Sequence, residues 1–142
     1  MEARVLLVDD EEDFLESMSE RMRLRGMDVT TASSAKEALA FIESDVFDAV
    51  ILDFHLPEMD GMAVLKKIKA RHPEAQIILL TGHASLEKGV EAMKIGASDY
   101  LEKPADMEAL SKKIKEAKAE KMLIVQKQHL DSVLGSIKKY GI

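Results

Sequence analysis

Five residues spread along this 142-residue chain could do chemistry together: Asp9, Asp10, Asp53, Thr81 and Lys103. Each lies at the end of a short run that reads as a strand. Val5-Leu6-Leu7-Val8 leads into Asp9-Asp10, Ala49-Val50-Ile51-Leu52 into Asp53, and Ile77-Ile78-Leu79-Leu80 into Thr81, while the alternating Asp99-Tyr100-Leu101-Glu102 leads into Lys103-Pro104. Three carboxylates gathered at one place repel one another and call for a cation or a shared proton. Hard oxygen ligands favour Mg²⁺, which takes one or two carboxylates with phosphate oxygens and keeps several waters. A carboxylate is also a competent nucleophile toward phosphorus. A lysine and a metal ion would neutralise the oxygens of a transferring phosphoryl group, and a threonine hydroxyl could donate to one of them. Singly, each residue has a plainer reading: an Asp after a strand is often a helix cap, Thr81-Gly82 an ordinary turn, and Lys103 a surface lysine. Asp10 could cap the first helix while also binding metal. The joint placement decides, because the strands are read from apolar runs that ignore these five residues.

The elements that must position them alternate. The three continuous apolar runs suit strands buried on both faces of a parallel sheet. Asp28-Val29-Thr30-Thr31-Ala32 is a weaker strand, and residues 99–102 read as an edge strand. Between them lie amphipathic helices. One carries Phe14, Met18, Met22 and Leu24 and stops at Gly26. The capping box Ser34-Ala35-Lys36-Glu37 opens the helix of Ala38, Leu39 and Ile42. Met62 to Arg71 carries Val64, Leu65 and Ile68 and ends at His72-Pro73. Ser85 caps a helix bearing Val90, Met93 and Ile95, closed by Gly96, and Asp106 caps the last helix. Five βα units predict a three-layer α/β domain with right-handed crossovers, whose active crevice lies beyond the carboxyl ends of the strands.

Composition bounds the rest. The length fits one domain, and 46% apolar residues exclude wholesale disorder. With no cysteine there are no disulfides, thiolate zinc sites or thiol nucleophiles, which suits a reducing cytosol. No apolar run approaches the roughly 18 residues of a membrane span, and the run after Met1-Glu2-Ala3-Arg4 is too short for a signal peptide. A net charge of −6 and 4% aromatics argue against direct nucleic-acid binding. The expectation is a cytoplasmic protein without membrane contact.

The sequence resembles the receiver domains of two-component response regulators. The resemblance rests on Val8-Asp9-Asp10, on Asp53-Phe54-His55-Leu56-Pro57-Glu58-Met59-Asp60-Gly61, on Thr81-Gly82 and on Lys103-Pro104, in this order and spacing over roughly residues 3 to 118. It implies a flavodoxin-like doubly wound parallel sheet of order 2-1-3-4-5. It implies Asp53 as phosphoacceptor for a sensor histidine kinase, with Asp10, Asp53 and the backbone carbonyl of His55 as Mg²⁺ ligands and Asp9 as a ligand through water. Thr81 and Lys103 would contact the phosphoryl group, and Lys103-Pro104 would be cis. Tyr100 would be the switch aromatic, turning inward as Thr81 moves and altering the face made by the fourth helix, fifth strand and fifth helix. His55 and His83 would tune the lifetime of the acyl phosphate; ligation of a transition metal is the alternative for these two. His72 and His129 read as surface residues. Such a protein is a switch rather than a turnover enzyme. Two other readings are a phosphorylation-independent adaptor and a haloacid-dehalogenase-like phosphatase. The latter has an acid two residues after its nucleophile, where this chain has His55, and a cap domain for which there is no room. Output would pass through a downstream protein or a missing output domain. The stretch Gly96 to Pro104 is similar to regulators that precede transcriptional activator modules.

The tail, residues 119–142, departs from the rest. It is basic, with four lysines against Glu120 and Asp131, and has no proline. Leu123, Leu130, Val133, Ile137 and Tyr140, with Gln126 as a polar member, follow one seam of a coiled coil. The domain division is therefore 1–118 and 119–142, the second part a helical extension, linker or dimerisation segment. If Asp106 to Tyr140 is one helix it spans about 50 Å at ~1.5 Å per residue. Its inward stripe would be Leu110, Ile114 and Ala117, and beyond Ala119 the seam would face water. The expectations for that seam are a twofold dimer through the last helix, an end frayed near Gly135 and Gly141, or a fold-back onto the domain.

Overall fold

Five parallel strands form a single sheet of order β2-β1-β3-β4-β5. In the computed structural model residues 2–140 are described, Tyr140 by its backbone alone. The elements are β1 (Arg4–Val8), α1 (Glu12–Leu24), β2 (Asp28–Ala32), α2 (Ala35–Ser44), β3 (Ala49–Asp53), α3 (Gly61–Arg71), β4 (Ile77–Thr81), α4 (Leu86–Ile95), β5 (Asp99–Glu102) and α5 (Met107–Tyr140). Strand pairing sets Val8 against Leu52, Asp53 against Leu80, and Thr81 against Glu102. The expected strand order and the alternation of elements are both observed.

Every residue of β3 and β4 is buried, as continuous apolar runs require. Alternate side chains feed two cores. Leu6, Val8, Val50, Leu52, Ile77 and Leu79 face α2, α3 and α4. Val5, Leu7, Ala49, Ile51, Ile78 and Leu80 face α1 and α5. Short polar side chains set the helix starts. Ser34, Asp60, Ser85 and Asp106 accept hydrogen bonds from the N–H groups of Glu37, Ala63, Lys88 and Ala109 respectively.

Four expectations are corrected. In α1 the buried stripe is Leu15, Met18 and Met22; Leu24 is 86% exposed because it lies about 200° around the helix from Met22. In α4 only Ala92 is fully buried, and Val90 and Met93 are about half exposed, so the helix turns much of its apolar face to water. Asp10 does not cap α1. Asp9 reaches forward and accepts from the Glu11 N–H at 2.9 Å, while Glu11, the residue at the cap position, makes no side-chain cap bond. His72 is half-buried, with Nε2 3.5 Å from Glu43 and Nδ1 3.8 Å from Glu74; His129 is exposed, as expected.

α5 is one helix of 34 residues that continues through Gly135. Met107, Leu110, Ile114 and Ala117 are buried against the sheet, matching the inward stripe. Contact with the body of the domain runs past 118. Lys118 Nζ donates to the Glu2 carbonyl at 2.9 Å, Lys121 Nζ donates to the Phe47 carbonyl at 2.5 Å, and Ile124 is half-buried. The described part of α5 is continuous helix, and Gly141, where fraying was also expected, lies outside the described residues. None of the described helices is long and apolar enough to cross a membrane.

Candidate functional site

The carboxyl ends of β1, β3, β4 and β5 converge on one rim, and the five residues singled out in the sequence meet there. Oxygens of Asp9, Asp10 and Asp53 all lie within 4.8 Å of one another. Asp9 is 1% and Asp53 6% exposed, whereas Asp10 is open to solvent. Lys103 Nζ lies 2.6 Å from Asp9 Oδ2 and 3.5 Å from Asp53 Oδ1. Thr81 is fully buried, and its Oγ1 accepts the His83 N–H at 3.1 Å.

Sheet bonding aims these groups. The Asp9 N–H donates to Ala32 O at 3.1 Å, the Phe54 N–H to Leu80 O at 2.7 Å, and the Lys103 N–H to Thr81 O at 2.7 Å, so each strand end is tied to its neighbour just where the functional residue leaves the sheet. The Lys103-Pro104 peptide bond is cis, as the resemblance implied.

The β3–α3 loop is fixed at several points. His55 and Asp60 form an antiparallel bridge, and the Gly61 N–H donates to Phe54 O at 2.6 Å. At Gly61 a Cβ would come within 2.8 Å of the Phe54 Cα, so only glycine lets the two backbones approach this closely. The Glu58 carboxylate crosses to the first turn of α2 and accepts the Ala35 N–H. The exposed His55 ring packs edge-on against Phe54.

The electrostatics follow from crowding. Burial pushes the Asp53 carboxyl above its ordinary value, and the Asp9 charge pushes the same way; Lys103 and the His55 backbone N–H oppose them. Burial by itself would lower the Lys103 ammonium, but its bond to Asp9 and the fields of Asp53, Asp9 and Glu11 outweigh this and raise it. Lys103 also stands 4.3 Å from the centre of the Phe14 ring. A hard divalent cation fits this donor set: three converging carboxylates with one fixed ammonium leave negative charge uncompensated.

Tyr100 is half-buried. Its ring meets Phe54 edge-on at 6.2 Å and lies against Gly89 of α4, where a Cβ would stand 3.0 Å from the ring. Its hydroxyl is buried without a hydrogen bond among the described residues. The exposed His83 lies beyond Thr81 on the β4–α4 loop, which is held by the Ala84 N–H donating to the Glu102 carboxylate at 2.9 Å.

Phe14, Glu58 and Glu102 belong to this region and were not singled out in the sequence. Phe14 stood there as a core residue of α1 and Glu102 as part of an edge strand. Glu58 appeared only within the loop motif, and no local spacing marks it as a partner for Ala35, 23 residues earlier.

Residues 5–115 match the model of the response regulator receiver domain, and the chain belongs to that family. It is a receiver domain of two-component response regulators. Among curated proteins it is 35% identical to the C4-dicarboxylate transport transcriptional regulatory protein DctD of Rhizobium meliloti, over 89% of this chain and 27% of that one. The chain thus spans about a quarter of the length of the curated relatives it matches. Among solved structures it superposes on a response regulator receiver domain from Clostridium thermocellum with a TM-score of 0.81, at 39% identity over 86% of this chain and 98% of that one. It superposes on the beryllofluoride-activated NtrC4 receiver domain dimer with a TM-score of 0.78, at 37% identity over 83% of this chain and 98% of that one.

Proposed function

We propose that this chain is a phosphorylation-operated switch in which Asp53 takes a phosphoryl group from a sensor histidine kinase. The observation that carries the reading is the convergence of Asp9, Asp10 and Asp53 beside Lys103 at one rim of the sheet. An Asp53 carboxylate oxygen attacks phosphorus, the bond from phosphorus to the donor breaks, and the donor leaves with the electron pair, giving an aspartyl phosphate. Asp10, Asp53 and the His55 carbonyl would hold Mg²⁺, with Asp9 reaching it through water. The ion supplies positive charge to the phosphoryl oxygens. Lys103 supplies a second positive charge, and the Thr81 hydroxyl turns to the phosphoryl group from its present bond with the His83 N–H. That rotation, with Tyr100 packed over Gly89, alters the face made by α4, β5 and α5. His55 and His83, exposed beside the site, tune access of the hydrolytic water.

The protein acts in the cytoplasm, where its kinase donor works, and it is modified and reset rather than turning over a substrate. Its output goes to a downstream protein or to a further domain. DctD, a transcriptional regulatory protein matched over only part of its length, favours control of transcription, by way of that output rather than by DNA contact from this segment. A second copy bound through the last helix is a further partner, a reading supported by the exposed seam and by NtrC4, whose receiver domain forms a dimer.

Acetyl phosphate with Mg²⁺ and intact-mass measurement test the reading. The chain gains one adduct of about 80 Da that hydroxylamine removes, and Asp53→Asn gains none. Catalytic release of phosphate would identify a phosphatase instead, and no adduct an adaptor.

A further inference from the structure

We propose that Phe14 is a positioning residue for the proposed phosphoryl transfer: the face of its ring seats the Lys103 ammonium and keeps that charge at the rim without neutralising it. The inference rests on the phosphoacceptor reading above and adds a residue that acts through Lys103.

Three groups surround the Lys103 ammonium. Asp9 is 2.6 Å away, Asp53 3.5 Å, and the centre of the Phe14 ring 4.3 Å. The lysine side chain is only 17% exposed, so most of it has left water. An ammonium is a compact, strongly hydrated charge with three N–H donors, and where water is excluded it needs electron-rich groups around it. Two carboxylates supply part of that shell. The ring supplies another part, because its face carries the negative side of the aromatic quadrupole.

Phe14 reaches this place from a different element. It is the third residue of α1, whereas Lys103 follows β5. It is half-buried against the core layer that faces α1 and α5, as are Leu101 and Ala105, two residues before and after Lys103. Packing alone would be served by leucine or methionine, the types that form the buried stripe of α1 at Leu15, Met18 and Met22. What a ring adds to packing is attraction for the cation.

The kind of contact decides what the lysine can do. A third carboxylate in place of the ring would hold the ammonium more tightly, but it would neutralise it and compete with incoming phosphoryl oxygens. A ring attracts the ammonium and leaves its charge whole. The attraction is spread over the face rather than aimed along one hydrogen bond, so the ammonium can shift from Asp9 toward a phosphoryl group on Asp53 without losing it. With an aliphatic residue at position 14 that attraction is gone, and the lysine is left to its bond with Asp9.

Fluorination separates charge attraction from packing, because fluorine on the ring drains negative charge from its face while nearly keeping its shape. Phe14 is replaced in the full chain by its mono-, di- and trifluoro forms. The initial rate of adduct formation with acetyl phosphate at saturating Mg²⁺ should fall stepwise with each fluorine. Phe14→Leu should be slower by about two- to fivefold, the scale of one partly exposed cation–π contact. Phe14→Tyr, which restores a ring face, should recover most of that rate. In metal-free buffer the urea midpoint should fall along the same fluorine series, and in a Lys103→Met background it should not respond to fluorine. A rate that ignores fluorine while Phe14→Leu is slow would make Phe14 a packing residue and overturn the proposal. So would a midpoint series that is unchanged by Lys103→Met. If no version takes up a phosphoryl group, the phosphoacceptor reading falls, and the urea series by itself decides whether the ring seats the lysine.

Discussion

Lys103 holds Asp9 more closely than Asp53: its ammonium is 2.6 Å from the Asp9 carboxylate and 3.5 Å from that of Asp53. The lysine thus compensates the more buried of the two acids and stands beside the other. Lys103→Ala removes this compensation. In metal-free buffer the variant should lose roughly 1–3 kcal/mol, less than a fully buried pair would cost because the ammonium keeps some solvent. Phosphorylation by acetyl phosphate should slow by about tenfold or more, since a charge aimed at the transferring group is gone. Denaturant titration and a mass time course measure the two effects. A neutral or stabilised variant would contradict the compensation.

Asp53 should act against stability when no metal is bound. Its carboxyl is raised above the ordinary value of 3.8 by burial and by Asp9. The folded chain therefore holds this proton more tightly than the unfolded one. The contribution of Asp53 to stability is fully present below 3.8 and is lost as pH rises through the raised folded value. At pH 7 Asp53→Asn, which cannot ionise, should melt a few degrees above the unmodified chain in a chelator. That gain should shrink as pH falls toward 3.8. A gain that does not change with pH would show that ionisation of Asp53 is not its source.

Millimolar Mg²⁺ should raise the melting temperature, because an ion bound to the folded state alone adds RT ln(1 + [L]/Kd), about 2.7 kcal/mol at a hundredfold excess over Kd. Asp10 is the exposed member of the trio and makes none of the hydrogen bonds that hold Asp9. Asp10→Ala should leave the metal-free fold intact and erase most of the rise. An equal rise in the variant would put the ion elsewhere.

The fold and the gathering of Asp9, Asp10, Asp53, Thr81 and Lys103 at one rim were legible because they are written locally. Each apolar run is a strand, each run ends in a polar residue, and a parallel sheet sends all those ends to one rim. What was not legible depends on distant contacts. Leu24 looks like a core residue until the rotation of α1 is fixed by Leu15, Met18 and Met22 packing on the sheet. Val90 and Met93 look inward until α4 is seen to bury only Ala92. Lys121 gives no sign of its bond to a backbone carbonyl 74 residues earlier, so contact between α5 and the domain past 118 could not be read from spacing.

Glu58 ties the loop after Asp53 to α2 by accepting the Ala35 N–H. The loop also carries His55, whose backbone N–H bonds Asp53 and whose carbonyl would face Mg²⁺. Glu58→Ala should cost about 1 kcal/mol, the scale of a lost cap, and should also raise the Mg²⁺ concentration needed for half-maximal phosphorylation. Glu58→Gln retains an acceptor oxygen and should recover most of both. If Glu58→Ala loses stability while its Mg²⁺ dependence stays put, the bond serves α2 alone.

Two truncations locate the end of the domain along α5. A chain stopped after Lys118 keeps the bond from Lys118 to the Glu2 carbonyl but loses Lys121, its bond to the Phe47 carbonyl, and the half-buried Ile124. A chain stopped after Gln126 keeps all of these and lacks most of the seam. Desolvation lowers the Lys121 ammonium below its ordinary value, against the raising influence of Asp48 and Glu74, so part of the bond's worth is spent on burial. A hydrogen bond from a charged donor is worth about 1.5–3 kcal/mol before that discount. The shorter chain should therefore be the less stable by roughly 1–2 kcal/mol in urea, with both measured at low micromolar concentration where association does not contribute. Lys121→Met in the longer chain should reproduce only part of the loss, because Ile124 stays half-buried. Equal stability of the two truncations would mean that the helix leaves the domain at 118 after all.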